Sequence, residues 1–241
     1  MMRLDNFLVE IGLFDSRTKS KQAIERGEIF IKGKQVVKCA LSVEGFSKDD
    51  IEFKYQSKFV SLGGYKLEKA LNDFKFSVHD LVVADIGSST GGFTDCLIQK
   101  GAKQVFAVDL NSDLLHNSLK NNKKVISIIK NARFLQPEDF SDNLDLIVAD
   151  LSFISITYLI ETFSNLLKEG KNLILLIKPQ FETFKKSRFK NGIIRDKKIH
   201  EEVCENVKAC AENYGFAFVD LTTAPIDKNK NLEFLILLKK E

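Results

Sequence analysis

From residue 66 onward the chain alternates short apolar runs with helical stretches, and this alternation restricts the fold more than any other feature. Strand-length apolar runs fall at 81–86, 104–108, 125–129, 144–149 and 172–177. An amphipathic helix led by Leu67, Ala70, Leu71 and Phe74 precedes them, and helical spacing recurs over 92–100, 113–120, 156–168 and 198–214. Strands that are apolar on both faces must be covered on both faces, so the pattern predicts an α/β, doubly wound, mostly parallel sheet with helices on each side. The last two runs, 217–221 and 232–238, have only a short connection between them. They are expected to pair antiparallel, with the final strand inserted into the sheet.

Residues 1–57 follow a different pattern. Leu4, Phe7, Leu8 and Ile11 recur at helical spacing, a second helix runs to Arg26, and short strand-like runs follow around a Lys32-Gly33-Lys34 turn. This predicts a small α/β module at 1–57, a linker at 58–65 containing Gly63-Gly64, and a larger domain at 66–241. No apolar run approaches the ~18 residues of a transmembrane helix, and the N-terminus lacks a signal-peptide core. A cytoplasmic location is therefore expected. The cysteines Cys39, Cys96, Cys204 and Cys210 form no CxxC pair, so no metal site is expected.

The net charge of +3 conceals two basic concentrations. Residues 17–38 carry seven basic against two acidic residues, with Arg17, Lys19, Lys21 and Lys34 among them. Residues 185–198 carry seven against one, including Lys185, Lys186, Arg188 and Arg195. Patches of this kind suit a polyanionic partner, although a charge run is also compatible with a merely solvated face.

The first strand of the larger domain runs into Asp85-Ile86-Gly87-Ser88-Ser89-Thr90-Gly91-Gly92-Phe93. A strand, a glycine turn and a helix in succession bring backbone against a ligand at the strand's C-terminal end. The spacing is GxxxGG, without the dinucleotide GxGxxG pattern, and resembles the first motif of S-adenosylmethionine methyltransferases. Asp109 ends the second strand, where a carboxylate can accept hydrogen bonds from both hydroxyls of an adenosine ribose. Asn131 follows the third strand and is a candidate for the adenine end, or a simple turn residue.

Two charges each directly follow an apolar run: Asp150 after the fourth strand and Lys178 after the fifth, where Pro179 ends the strand. Neighbouring strand ends share one rim, so the two can meet near a cofactor's methyl group. Lys66 follows the linker, and Glu233 lies within the last apolar run. A ribose hydroxyl is a very weak acid, so methylating it requires a base, and a lysine serves only when its proton is made easier to lose. On the residues alone, an ion pair of Asp150 with Lys178 and surface positions for Lys66 and Glu233 account for the pattern equally well.

Taken together, the stretches SLGGYKLEKAL, VADIGSSTGGFTDCLIQKGAKQVFAVD, NARFLQPEDF, DLIVADLSFIS, LLIKPQFE, NGIIRD and NLEFLILL resemble the FtsJ-type ribose methyltransferase domain. MRLDNFLVE and SRTKSKQAIERGEIFIKGKQV resemble the S4-like RNA-binding module. This domain order is that of the TlyA family, historically called haemolysins. The resemblance implies a Rossmann-like class I methyltransferase domain that uses S-adenosylmethionine to methylate cytidine 2'-hydroxyls in ribosomal RNA, mainly of the large subunit. It also implies a catalytic set of Lys66, Asp150, Lys178 and Glu233, with Lys178 as base. Arg3 joins the expected RNA contacts. Where family members often carry an arginine in the linker, this chain has Leu62. Rival readings are a methyltransferase of another RNA, a non-catalytic RNA-binding assembly factor, and a pore-forming haemolysin. The last lacks any membrane-inserting pattern.

Overall fold

The structure, a computed structural model, describes residues 2–25, 27–53, 58–183, 192–225 and 230–241. It divides into two compact units, Met1–Lys58 and Phe59–Glu241. In the smaller, helices α1 (Leu4–Glu10) and α2 (Arg17–Glu25) precede strands β1 (Ile29–Ile31), β2 (Lys34–Val36) and β3 (Ile51–Phe53). The strands form an antiparallel sheet in the order β2-β1-β3. Lys32 and Gly33 both take positive φ, at 48° and 76°. Such a two-residue turn matches the twist of the strands it joins. Leu4, Leu8, Ala23, Ile24, Ile29, Ile31 and Val43 form the core of this unit.

The larger unit contains α3 (Gly63–Asp73), β4 (Val82–Ile86), α4 (Gly92–Gln99), β5 (Gln104–Asp109), α5 (Asn117–Lys120), β6 (Val125–Ile129) and β7 (Leu146–Ala149). It continues with α6 (Ile160–Leu166), β8 (Asn172–Ile177), α7 (Pro179–Glu182), α8 (Lys197–Asn213), β9 (Phe216–Thr223) and β10 (Phe234–Lys240). The seven-stranded sheet runs β6-β5-β4-β7-β8-β10-β9. The first five of these strands are parallel; β10 is antiparallel to both β8 and β9 and is inserted between them. The order reverses direction between β4 and β7, the crevice at which open α/β sheets bind ligands.

Residues 59–65, expected as a connector, instead pack into this unit. Phe59 is 1% exposed. A Cβ on Gly64 would lie 2.3 Å from Phe59 Cγ, and one on Gly92 would lie 2.2 Å from Ser61 Oγ. The glycine pair therefore permits close packing at the starts of α3 and α4. The helix expected over 113–120 is broken: a 3₁₀ turn at Ser112–Leu114 precedes α5, and His116 between them is extended and caps α5 by accepting from Ser118 N–H. No helix among the described residues is long and apolar enough to cross a membrane.

Side chains along the inner strands β4, β7, β8 and β10 alternate between two cores, as a two-residue period requires. The outermost strands β6 and β9 are largely exposed, against the expectation of cover on both faces. Val82, Ala84, Ile86, Ile147, Ala149, Leu173, Leu175, Ile177, Ile236 and Leu238 belong to the core containing Phe163 and Val207. Val83, Leu146, Val148, Ile174, Leu176, Leu235 and Leu237 belong to the core beneath Leu67 and Leu71 of α3 and Leu97 of α4.

Candidate active site

This alternation sets up the site. Continuing it by one residue puts Asp150, after β7, and Lys178, after β8, on the α3/α4 face. Strand β10 runs the opposite way, with Phe234 paired to Ile177, so Glu233 reaches the same rim by preceding its strand. The expected position of Glu233 within the strand is thus corrected: its carbonyl accepts from Ala224 N–H at 2.9 Å, and the ladder of β10 begins one residue later. Lys66 comes from the first turn of α3 on that face.

The four charges alternate in sign along a row. Lys178 Nζ lies 2.5 Å from Asp150 Oδ1, Lys66 Nζ lies 4.0 Å from Asp150 Oδ2, and Lys66 Nζ lies 2.6 Å from Glu233 Oε2. Their side chains are between 9% and 24% exposed, so solvent screens the row only partly. Lys178 Nζ also donates to Ser152 Oγ at 2.8 Å. Ser152 had no assigned role in the sequence, where its only signal is its place two residues after Asp150. The neighbouring Phe153 has φ 69° and is 90% exposed, with its ring centroid 5.3 Å from that of Phe181.

The glycine loop lies against this row. Gly87 has φ 81°, and a Cβ there would lie 2.8 Å from the carbonyl oxygen of Asp150. Gly91 has φ 93°, and a Cβ there would meet Leu119 Cδ1 at 2.3 Å. Gly87 and Ser88 donate their N–H groups to Val108 O, and Ser89 N–H donates to Asp109 Oδ2 at 2.8 Å. A cavity of about 170 Å³ is lined by Asp85, Gly87, Ser88, Ser89, Thr90, Gly92 and Phe93 together with Ser61, Asp150, Ser152 and Lys178. The loop therefore shares one space with the Asp150–Lys178 end of the row, whereas Lys66 and Glu233 line a neighbouring cavity. Asp109 and Asn131 do not line it. They stand farther along the rim, on the β5 and β6 side, and Asn131 Oδ1 caps the turn Ala132–Phe134 by accepting from Arg133 N–H.

Asp85 is wholly buried, and its Oδ2 accepts from Thr94 N–H at 2.8 Å and Thr94 Oγ1 at 2.6 Å. Its Oδ1 has no hydrogen-bond partner among the described residues. A buried acceptor in this state can take a hydrogen bond from a bound cation, an N–H or O–H donor, or a water. Burial, opposed by the Thr94 hydrogen bond and reinforced by the charge of Asp150, pushes the Asp85 carboxyl up to about 7. Between its ordinary value of 3.8 and about 7, the folded chain holds a proton that the unfolded chain releases. Stability from this group must therefore fall as pH rises through that window. The melting temperature of the wild type is expected to drop more steeply than that of Asp85→Asn, a comparison that calorimetry at several pH values makes directly.

These features fit S-adenosylmethionine. The unpartnered Oδ1 suits its ammonium group, the glycine turns admit backbone to close approach, and Asp109 offers acceptors for a ribose.

The basic residues of the smaller unit are only partly solvated. Arg17 and Arg3 both pair with Asp5, and Lys19 pairs with Asp15 at 2.7 Å. Lys21 is half-buried, while Lys34, and Arg195 in the larger unit, are exposed. Lys185, Lys186 and Arg188 lie outside the described residues. Leu62, at the position noted for its missing arginine, is 54% exposed beside the start of α3.

Comparison with known proteins identifies the family. Residues 59–241 match the FtsJ-like methyltransferase model, and residues 2–38 match the S4 domain. Hemolysin A of Brachyspira hyodysenteriae is 39% identical, over 97% of this chain and 98% of its own. The 16S/23S rRNA (cytidine-2'-O)-methyltransferase TlyA of Mycobacterium tuberculosis is 32% identical, over 99% and 90%. A solved hemolysin-like protein from Streptococcus thermophilus superposes with a TM-score of 0.77 at 37% identity, over 99% of this chain and 88% of that one. With an S4 domain preceding an FtsJ-like methyltransferase domain and such relatives along nearly its whole length, this chain is a methyltransferase of the TlyA family.

Proposed function

We propose that the protein transfers a methyl group from S-adenosylmethionine to the 2'-hydroxyl of a cytidine in ribosomal RNA, with large-subunit RNA as its main target. The observation that carries this reading is the partly buried Lys178–Asp150–Lys66–Glu233 row, whose Lys178–Asp150 end shares a cavity with the glycine loop. It is supported by relatives described as rRNA cytidine-2'-O-methyltransferases from Mycobacterium tuberculosis and Campylobacter jejuni.

S-adenosylmethionine supplies an electrophilic methyl carbon on a sulfonium. Lys178, as free amine, accepts the proton of the ribose hydroxyl at Nζ. Asp150 and Ser152 hold Nζ in place, so the base is aimed before substrate arrives. Lys66, held by Glu233, stands on the other side of Asp150 and completes the row. Asp85, Gly87–Phe93, Asp109 and Asn131 hold the cofactor. Phe153 offers an exposed aromatic face to a base near the acceptor, and such stacking tolerates any base. Arg3, Arg17, Lys19, Lys21, Lys34 and Arg195, with Lys185, Lys186 and Arg188, bind phosphates.

The reading is tested by mapping ribose methylation on both ribosomal RNAs from cells with and without the protein. One or more cytidines, including one in large-subunit RNA, should lose their 2'-O-methyl group. Unchanged maps alongside S-adenosylmethionine-dependent methylation of transfer RNA would assign the enzyme to another substrate.

A further inference from the structure

Asp5 has a pattern of contacts that packing alone does not require. It is 0% exposed, in the first turn of α1. Its backbone is held from two directions: its N–H donates to Cys39 O at 3.2 Å, and its carbonyl accepts from Ser20 Oγ of α2 at 2.9 Å. The carboxylate then takes two guanidinium groups from different elements. Arg3 donates through Nε and Nη2 at 3.0 and 3.1 Å, and Arg17 donates through Nε at 3.0 Å. The hydrogen bond from Arg3, with the charge of both arginines, holds the Asp5 carboxyl down to about 2 against the opposing effect of burial.

A buried ion pair is weak support for stability, because an apolar residue of similar size often serves as well. Its clearer consequence is orientation. Arg3, engaged through Nε and Nη2, keeps Nη1, and Arg17, engaged through Nε, keeps both terminal nitrogens without a partner among the described residues. Both side chains remain about half exposed, at 43% and 51%. Arg17 also opens α2, where the positive helix end disfavours it. The carboxylate offsets that cost. Two oriented forks on one buried anion match phosphate oxygens, which guanidinium recognises in bidentate fashion.

We propose that Asp5 is a positioning residue for RNA, holding Arg3 and Arg17 as a paired contact to phosphates of the bound strand. This rests on the reading that the smaller unit binds RNA.

Charge counting and positioning give opposite signs here. Asp5→Asn makes the protein more positive, so electrostatics alone strengthens RNA binding; lost positioning weakens it. The experiment measures affinity of the full chain for a large-subunit rRNA transcript across a salt series, with melts to follow folding. Asp5→Asn should bind about tenfold more weakly. Its salt dependence should flatten by about 0.7–0.9 log units per lost phosphate contact. Arg3→Gln/Arg17→Gln should do the same, and adding Asp5→Asn to that pair should cause no further loss. Affinity at or above wild type in Asp5→Asn, with the arginine pair weakened, overturns the role of Asp5 and leaves RNA binding standing. Losses that add in the triple variant reduce Asp5 to a structural residue. An unchanged affinity and slope in the arginine pair instead removes the RNA reading of these residues. Should Asp5→Asn melt the smaller unit, Arg3→Lys/Arg17→Lys keeps the carboxylate and both charges but loses the forks. It should bind as weakly, and wild-type binding overturns the proposal.

Discussion

Replacing Lys178 with alanine is expected to slow methyl transfer by about 100- to 10,000-fold, the usual cost of removing a general base. Cofactor affinity and RNA binding should stay close to wild type. Lys178 is 8% exposed, bonded to Ser152 and paired with Asp150, so little else can replace its amine. Arginine at this position should fail almost as completely, because guanidinium keeps its proton at any working pH. It would still pair with Asp150. The arginine variant therefore separates the two accounts of the row: a structural ion pair would be largely restored by arginine, a base would not. Single-turnover methylation at saturating RNA reads the difference, with thermal melts as the control. Near-wild-type rates in Lys178→Arg would remove the base assignment, and near-wild-type rates in Lys178→Ala would remove Lys178 from the site.

The second large effect is expected at Asp109. Its carboxylate organises the rim by accepting from Ser89 N–H at 2.8 Å and Asn111 N–H at 3.3 Å. In the proposed complex it also accepts from the cofactor's ribose hydroxyls. Hydrogen bonds to a charged group contribute roughly 1.5–3 kcal/mol, so Asp109→Ala should weaken S-adenosylmethionine about ten- to a hundredfold. Asp109→Asn keeps an acceptor for Ser89 N–H but loses the charge, and should fall between the two. Titration calorimetry on folded protein measures all three. Equal affinities would move the ribose contact away from Asp109. A loss in alanine but none in asparagine would make Asp109 a support for the loop only.

The rim was legible in the sequence because its chemistry is local. A charge at the end of an apolar run must lie where the sheet stops, whatever the strand order, and this reasoning alone brings forward Asp150 and Lys178. The glycine turn after β4 is equally local, since only glycine takes φ near 81° and 93° there without strain. The helix break at His116 escaped notice because a single capping contact decides it, and that contact leaves no mark in hydrophobic spacing. Gly63-Gly64 looked like a connector because flexibility and close helix approach call for the same residue.

By itself, then, the sequence determined the class of fold, the two-unit order and the ends of the parallel strands at Ile86, Asp109, Ile129, Ala149 and Ile177, but not the bounds of the last two strands. Periodicity records which faces must be buried, and a strand end is a property of a few neighbouring residues. The sequence pattern suggested neighbouring strand ends and an inserted last strand. Only the tertiary structure set the order β7-β8-β10 and its registers, since pairings between remote strands leave no local record. It also decided that Asp150, Lys178 and Glu233 share the face covered by α3, through the parity of the registers Ala149↔Leu175 and Ile177↔Phe234. Lys66, more than 80 residues from Asp150, joins them only because its helix packs over that face. The sign alternation that holds the row together is a property of distances, and distances between remote residues exist only once the chain has folded.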